Sequence, residues 1–371
     1  MVDTDILIVG GGIAGASLAA RLAPRARVTL IEGEPLCGQH STGRSAAFWQ
    51  ASLGGDTPER RLSIASKPMF DTGWPDADSP LLRKRGAIHL TGPCGEALKD
   101  AETIPPDHAP ARLDRAALDS LVPGLRDQWT GAWFEESCAD IEVAAFHAAC
   151  LRSARRHGGH ILNDHRLLSA SRSGGAWRVE TSGGVLSASL LVNAAGAWGD
   201  EVATRSGIAP LGLEPRRRTV VQLRVGARGL RDLPFVTDLH QSFYFKGESD
   251  NSVWVCPLDE TLVGPCDAAP EEIDVAIAID RFERAVDWPV EAVERKWAGL
   301  RTFAPDRRMK FGFDQGIDGF FWCVGQGGMG IQTAPAASLL CASLILGDGL
   351  PAALAGLQAS DFAPRTQVTT A

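Results

Sequence analysis

Tyrosine is nearly missing from this chain: one residue, Tyr244, in 371, against ten tryptophans and fourteen phenylalanines. Any work done by a phenolic hydroxyl falls on a single position. No apolar run approaches the roughly 18 residues that a membrane helix needs, so no transmembrane segment is expected. The N-terminus shows neither the charged region nor the cleavage site of a secretory leader. The eight cysteines (Cys37, Cys94, Cys138, Cys150, Cys256, Cys266, Cys323, Cys341) form no C-x-x-C pair, which excludes zinc-ribbon and iron–sulfur spacings and leaves no metal site to expect. In a chain of this size they read as reduced thiols of a cytoplasmic protein, with peripheral association with a membrane left open. Positive charge is also short. Thirty-seven Lys and Arg against 45 Asp and Glu give −8, a poor balance for a nucleic-acid partner. Glycine is in surplus at 40 of 371, about 11% against a usual 7%. The length suggests about two domains at roughly 150 residues each.

The surplus begins at the N-terminus. Ile6 to Val9 is a β-rich apolar run, followed by Gly10-Gly11-Gly12-Ile13-Ala14-Gly15, an Ala/Leu-rich helical stretch to Leu22, and a second strand from Ala26 that ends at Glu32. This is strand, GxGxxG, helix, strand, acid, with Glu32 lying 22 residues after Gly10. Gly10 permits the tight turn, Gly12 admits a pyrophosphate, and Gly15 lets helix and strand pack closely. The helix N-terminus favours the anion. Glu32 suits ribose hydroxyls and argues against a 2′-phosphate, hence against NADP. Between FAD and NAD, the run His40-Ser41-Thr42-Gly43-Arg44-Ser45-Ala46-Ala47 favours FAD, because it supplies donors for a second part of the pyrophosphate on the way to a flavin ring.

Further strands are expected near Ala87–Thr91, Arg178–Ser182, Leu190–Asn193 and Phe320–Val324, and helices near Arg115–Leu121, Val143–His157, Glu271–Val286 and Pro335–Leu346. Thr219–Val225, Gln241–Lys246 and Ser252–Leu258 alternate apolar and polar residues, the pattern of antiparallel strands with one exposed face. Leu190–Trp198 runs from a buried strand into small residues, and Gly325–Gly330 is a second glycine-rich loop that opens a helix. Amide groups there favour negative charge. The chain reads as interleaved: an α/β dinucleotide domain from 1–50, 140–210 and 300–350, a second, sheet-containing domain from 51–139 and 211–299, and a C-terminal tail over 351–371 that is loose from Pro364.

Seven motifs, GGGIAGAS at 10–17, HSTGRSAA at 40–47, LVNAAGAW at 191–198, PLGLEPRRR at 210–218, SFYFK at 242–246, WAGLRTF at 297–303 and GQGGMGIQT at 325–333, together resemble the D-amino-acid oxidase superfamily of FAD enzymes. Within it the likeness runs most to bacterial D-arginine dehydrogenases, then to glycine and sarcosine oxidases. The resemblance implies a glutathione-reductase-type FAD domain beside an α+β substrate domain with a mostly antiparallel sheet. It implies non-covalent FAD held by Gly10, Gly12, Ile13, Ala14, Gly15, Glu32, Ser41, Thr42, Arg44, Ser45, Ala46, Ala47, Ala195, Gly196 and Trp198, with Gly328, Gly330, Ile331, Gln332 and Thr333 at the redox end. Cys323, on the strand before the second glycine-rich loop, reads as a buried strand residue, not as a flavin attachment point.

The resemblance also implies an amino-acid or amine substrate whose carboxylate is met by Arg218, Arg301 and Tyr244, with Gly328 at the reacting centre. From the residues alone, Arg218 is equally a solvated charge in the run Arg216–Arg218, Arg301 a structural ion pair, and Tyr244 a sheet-face aromatic. The side-chain pocket implied is Phe48, Trp49, Gln50, Leu53, Ala87, Met329 and Gln332. A Glu that meets a basic substrate side chain in the D-arginine dehydrogenases is replaced by Ala87, which suits an uncharged, hydrophobic side chain and implies that Ala87→Glu shifts preference toward basic amino acids. The activity expected is oxidative deamination of a D-amino acid, with hydride transfer to flavin and oxygen or a quinone as electron acceptor. Oxidation of a secondary amine, and a pathway-specific or weakly active flavoprotein, are the alternatives.

Overall fold

The computed structural model describes residues 2–92 and 96–365; Cys94 and the end of the tail, 366–371, lie outside them. Among the described residues two eight-stranded sheets dominate. The first is built on strand Val2–Val9, which pairs in parallel with Gly184–Asn193 on one side and Val28–Ile31 on the other. His160–Leu162 extends the Val28–Ile31 edge in parallel. Phe320–Val324 runs parallel to Gly184–Asn193, with Lys310–Phe313 antiparallel beside it. The near-continuous apolar run Ile6–Val9 fits a parallel strand buried on both faces. Helices Ile13–Leu22 and Gly330–Leu346 cover one face, through Leu18, Leu22, Ala336 and Leu340 against Ile6, Ile8, Val192 and Phe321. Val202 and Ala203 join Leu7, Val9, Trp177 and Trp322 on the other.

The second sheet orders its strands Val290–Phe303, Glu214–Val225, Ser252–Cys256, Tyr244–Gly247, Phe235–Asp238, Ala87–Thr91, Gly131–Glu135 and Ala111–Leu113. It is antiparallel except where Phe235–Asp238 meets Ala87–Thr91. The expected exposed face appears at Thr219–Val225, where Arg224 is exposed and Gln222 half-buried, but not on the next two strands. Tyr244–Gly247 is buried throughout, and Ser252–Cys256 is buried except for half-buried Trp254. One face lies under helix Glu272–Ala285, whose Val275, Ala278 and Phe282 pack on Val221, Val253 and Phe245. Over part of the other face lies a three-stranded sheet, Phe48–Trp49, Ala139–Ile141 and Leu82–Lys84, which brings Phe48 and Cys138 onto Ala87, Phe235 and Tyr244.

Two local expectations shift. The last helix starts at Gly330, with Pro335 inside it. Ser66 sits against this turn, its hydroxyl accepting from Ala336 N (3.1 Å) and lying 2.9 Å from Leu62 O and 3.2 Å from Thr333 O. The tail is not loose where it is described. Leu354 and Phe362 pack on the first sheet's core, Pro364 is buried, and Arg365 bonds Asp314 and the Ala209 carbonyl.

Candidate functional site

Three parallel strands end together, at Val9, Asn193 and Val324, and the loops that follow them form one wall of a cleft with about 1600 Å³ of empty space, part of it open to solvent. Ligands of open parallel sheets bind at this carboxyl edge. Gly10 has φ +111°, and a Cβ there would collide with the Ala194 carbonyl. A Cβ at Gly15 would strike the Gly10 carbonyl. The glycines therefore answer backbone crowding at the crossing of strand, helix and neighbouring strand. Ile13 N donates to Thr42 Oγ1 at 3.0 Å, which seats the 40–47 loop on the helix start. Glu32 lines the far end of the cleft, its carboxylate accepting from Gly11 N (2.8 Å) and Glu34 N (3.0 Å). Each oxygen keeps a lone pair free for a sugar hydroxyl.

Gly10, Gly12, Ile13, Ala14, Glu32, Ser41, Thr42, Arg44, Ser45, Ala46, Ala195, Gly196, Trp198, Gly328, Gly330 and Ile331 all line this cleft. Two of them are spent on the protein itself. Ser41 Oγ donates to Leu300 O at 2.7 Å, and the Arg44 guanidinium bonds Ala268 O (2.8 Å), Ala298 O (3.1 Å) and Asp267. These side chains tie the 40–47 loop to the long strand Val290–Phe303. Gly15, Ala47, Gln332 and Thr333 stand behind the lining. Thr333 Oγ1 donates to Met329 O (2.9 Å), and Gln332 Oε1 accepts from Gln50 N (3.2 Å), leaving its buried Nε2 without a partner. His165–Leu167 also lines the cleft, a segment sequence reasoning missed. Its place comes from His165 N donating to Glu32 O at 2.8 Å, a pairing no local pattern announces. Length, glycine cradle and an acid at one end fit FAD.

The other end is cationic. Strand alternation sends Arg217 to the helix side, where it pairs with Asp274 (2.9 Å) and Glu271, and sends Arg216 and Arg218 the other way. Arg216 pairs with Glu214 (2.6 Å) and is not among the lining residues. Arg218 donates from Nε to Asp259 O (2.7 Å) and from Nη2 to Glu260 (3.1 Å), while its buried Nη1 has no partner. Arg301 enters from the adjacent strand and makes no hydrogen bond or ion pair among the described residues. Burial, and the nearby Arg218 charge, bring its pKa down to about 10. It lies against Gly328, where a Cβ would sit 2.7 Å from its Nη1. Tyr244 is buried between Phe235 (5.1 Å) and Phe48 (5.8 Å). Burial pushes its phenol well up, so it stays a protonated donor.

The predicted pocket wall divides. Phe48 packs on Phe235 at 4.5 Å and on Tyr244 at 5.8 Å, but is not itself among the lining residues. Trp49 points to the opposite side of its strand. It is fully buried, donates from its indole to Ser63 O (2.8 Å), and belongs to the core. Ala87 is fully buried under Phe48, Phe235 and Cys138, away from the lining. Gln50, Leu53 and Met329 are not among the lining residues; Met329 caps the start of the last helix. Cys323 is buried in the core beside Cys341, its Sγ 4.0 Å away.

A family model described as DAO, FAD dependent oxidoreductase, matches residues 5–344. The bifunctional protein ThiO/ThiG of Synechocystis sp. is 26% identical over 359 residues, covering 92% of this chain and 52% of that protein. The chain thus spans about half the length of such relatives. Hydrogen cyanide synthase subunit HcnC of Pseudomonas aeruginosa is 24% identical over 422 residues, covering 97% of this chain and 96% of that one. Glycine oxidase from Geobacillus kaustophilus superposes with a TM-score of 0.83 at 21% identity, over 99% of this chain and 100% of that one. L-proline dehydrogenase from P. horikoshii superposes at 0.80 and 19% identity, over 98% and 97%. Among the described residues no helix is long and apolar enough to cross a membrane.

Proposed function

This chain belongs to the DAO family of FAD-dependent oxidoreductases, and from that premise we propose that it deaminates a D-α-amino acid with an uncharged, hydrophobic side chain, giving the 2-oxo acid and ammonia. The observation that carries this reading is the unpaired Arg301 guanidinium beside the orphaned Nη1 of Arg218. Arg301, with no carboxylate partner among the described residues, and the free Nη1 of Arg218, whose Nη2 is already paired with Glu260, together make a site for a substrate carboxylate, which a guanidinium fork grips through charge-assisted bonds. The Tyr244 hydroxyl adds a neutral donor to the same clamp. FAD, when bound in the cleft, supplies the two-electron acceptor for the Cα hydride.

The clamp fixes the substrate by its carboxylate, so that Cα is oriented by residues rather than by a strong base. Among the described residues no Asp or Glu lines the cleft at this end. The substrate ammonium therefore gives its proton to water, and the amine is neutral when the hydride leaves. The imino acid then takes up water and releases ammonia. The first turn of Gly330–Leu346 has amide groups without helical partners, which favour negative charge at the redox end. Phe48 and Phe235 pack on the Tyr244 ring behind the lining, an apolar surrounding that supports an uncharged side chain; the D configuration rests on the sequence resemblance. Product analysis tests the proposal: one 2-oxo acid and one ammonia per substrate oxidised. A second reading, oxidation of a secondary amine, is favoured by the structural likeness to L-proline dehydrogenase and to iminodiacetate oxidase of Chelativorans sp.. Release of an amine, or of a cyclic imine without ammonia, would select it.

A further inference from the structure

Helix Val143–Arg156 brings the buried side chain of His147 to the first glycine-rich turn. His147 Nε2 lies 2.8 Å from Gly11 O. Burial brings the imidazole pKa down, so the ring is neutral. A carbonyl only accepts, so Nε2 carries the single ring proton and donates it. The same ring lies against Gly38, at φ +81°, where an added Cβ would come 2.9 Å from Cε1. Gly38 lines the cleft, and its carbonyl accepts from Gly43 N at 2.8 Å in the loop that Thr42 seats on the helix start. His147 is thus wedged behind two loops of the cleft wall and is not itself among the lining residues.

The bond controls the peptide between Gly11 and Gly12. In a trans peptide the C=O and N–H point to opposite sides. With Gly11 O turned to His147, the Gly12 N–H points the other way, and Gly12 lines the cleft whereas Gly11 does not. Gly12 is the N-cap of helix Ile13–Leu22, and its N–H has no acceptor among the described residues. The neighbouring amides are spent: Gly10 N donates to Ile31 O (2.8 Å), Gly11 N to Glu32 (2.8 Å) and Ile13 N to Thr42 (3.0 Å). With glycine on both sides, the Gly11–Gly12 peptide meets little torsional resistance to turning over. We propose that His147 is a positioning residue for the dinucleotide: by holding the Gly11 carbonyl it keeps the Gly12 N–H turned into the cleft as a donor to the pyrophosphate of FAD, and so sets how tightly FAD is held without touching it. Donation to the carbonyl also polarises the peptide and makes its N–H a stronger donor. The proposal does not depend on the carboxylate clamp.

His147→Gln and His147→Met test it together, because the two side chains share a length and only Gln brings an N–H to the Gly11 carbonyl. FAD affinity is measured on the holoenzyme from the free-flavin fluorescence released on serial dilution. The phosphorus NMR resonances of the bound pyrophosphate are recorded on the same preparations. His147→Met is expected to lose about tenfold in FAD affinity and to move a pyrophosphate resonance. Its visible flavin spectrum, and kcat and KM at saturating FAD, are expected to stay as in the parent. His147→Gln is expected to keep most of the parent's affinity and its phosphorus spectrum. Should His147→Met fail to fold, His147→Leu, which also lacks a donor, takes its place with the same expectation. Unchanged FAD affinity in a folded donor-free variant, or equal loss in the Gln and donor-free variants, overturns the positioning role. Weaker FAD binding with an unmoved phosphorus spectrum overturns it as well.

Discussion

Replacing Arg301 by alanine should damage activity while sparing or improving the fold. In the folded protein this guanidinium lines the cleft, faces Arg218, and has no anionic partner among the described residues; burial brings its pKa down to about 10. A basic group whose pKa is lowered on folding opposes folding at every pH where it stays charged, that is, below about 10. Removing it relieves that repulsion, so Tm in Arg301→Ala is expected to hold or rise, the trade expected of a strained functional group. The substrate carboxylate meanwhile loses one of its two cationic partners, which costs roughly 2–5 kcal/mol, or about 30-fold to a few thousand-fold in kcat/KM. For the parent enzyme the same logic makes kcat/KM fall as pH rises through about 10, where Arg301 gives up its proton. The assay is steady-state kinetics on the best substrate, with flavin content and thermal melting measured on the same preparations. Near-normal kcat/KM would refute the clamp. A marked fall in Tm with loss of flavin would make Arg301 a structural residue.

Tyr244→Phe removes one neutral hydroxyl donor and is expected to lower kcat/KM by roughly 10- to 150-fold, from about 1.5–3 kcal/mol for a bond to a charged acceptor; as the chain holds no other tyrosine, a flat result in kinetics and in acetate binding would remove the hydroxyl from the site. Ala87→Glu, which the sequence alone suggests as a switch toward basic substrates, is expected instead to destabilise the fold by several kcal/mol, because the new carboxylate is buried across the strand pair from Glu135; a well-folded variant that prefers D-arginine would contradict the placement of Ala87. Gly10→Ala forces a side chain into φ +111° and into the Ala194 carbonyl, so the purified protein is expected to carry much less flavin, measured by its absorbance ratio to protein.

The legible parts of the molecule are those set by local backbone demands. Gly10 and Gly15 are read correctly because a Cβ at either meets main chain. The helix Arg115–Leu121 and the strand Ala87–Thr91 follow their own patterns to the residue. What escapes the sequence is set by pairing across long separations. Ser252–Cys256 alternates like a half-exposed strand, yet a helix covers one face and the small sheet and cleft the other. Trp49 stands next to Phe48 in the chain and on the opposite side in space. Ala87 matches a pocket position by motif, but Phe48 and Cys138 close over it. Glu135 is the first of two consecutive acids after the apolar stretch Gly131–Phe134, and only the pairing of its strand with Ala87–Thr91 decides that it is the buried one.

The central claim is that the clamp presents an α-amino acid to FAD for oxidation. Anaerobic mixing of the holoenzyme with a panel of D-, L- and N-methyl amino acids, followed by loss of visible flavin absorbance, tests it most directly. Rapid bleaching by D-amino acids with apolar side chains, with basic and acidic members slow or inert, is the predicted result. Bleaching only by N-methyl or cyclic substrates, or by no member of the panel, would contradict it.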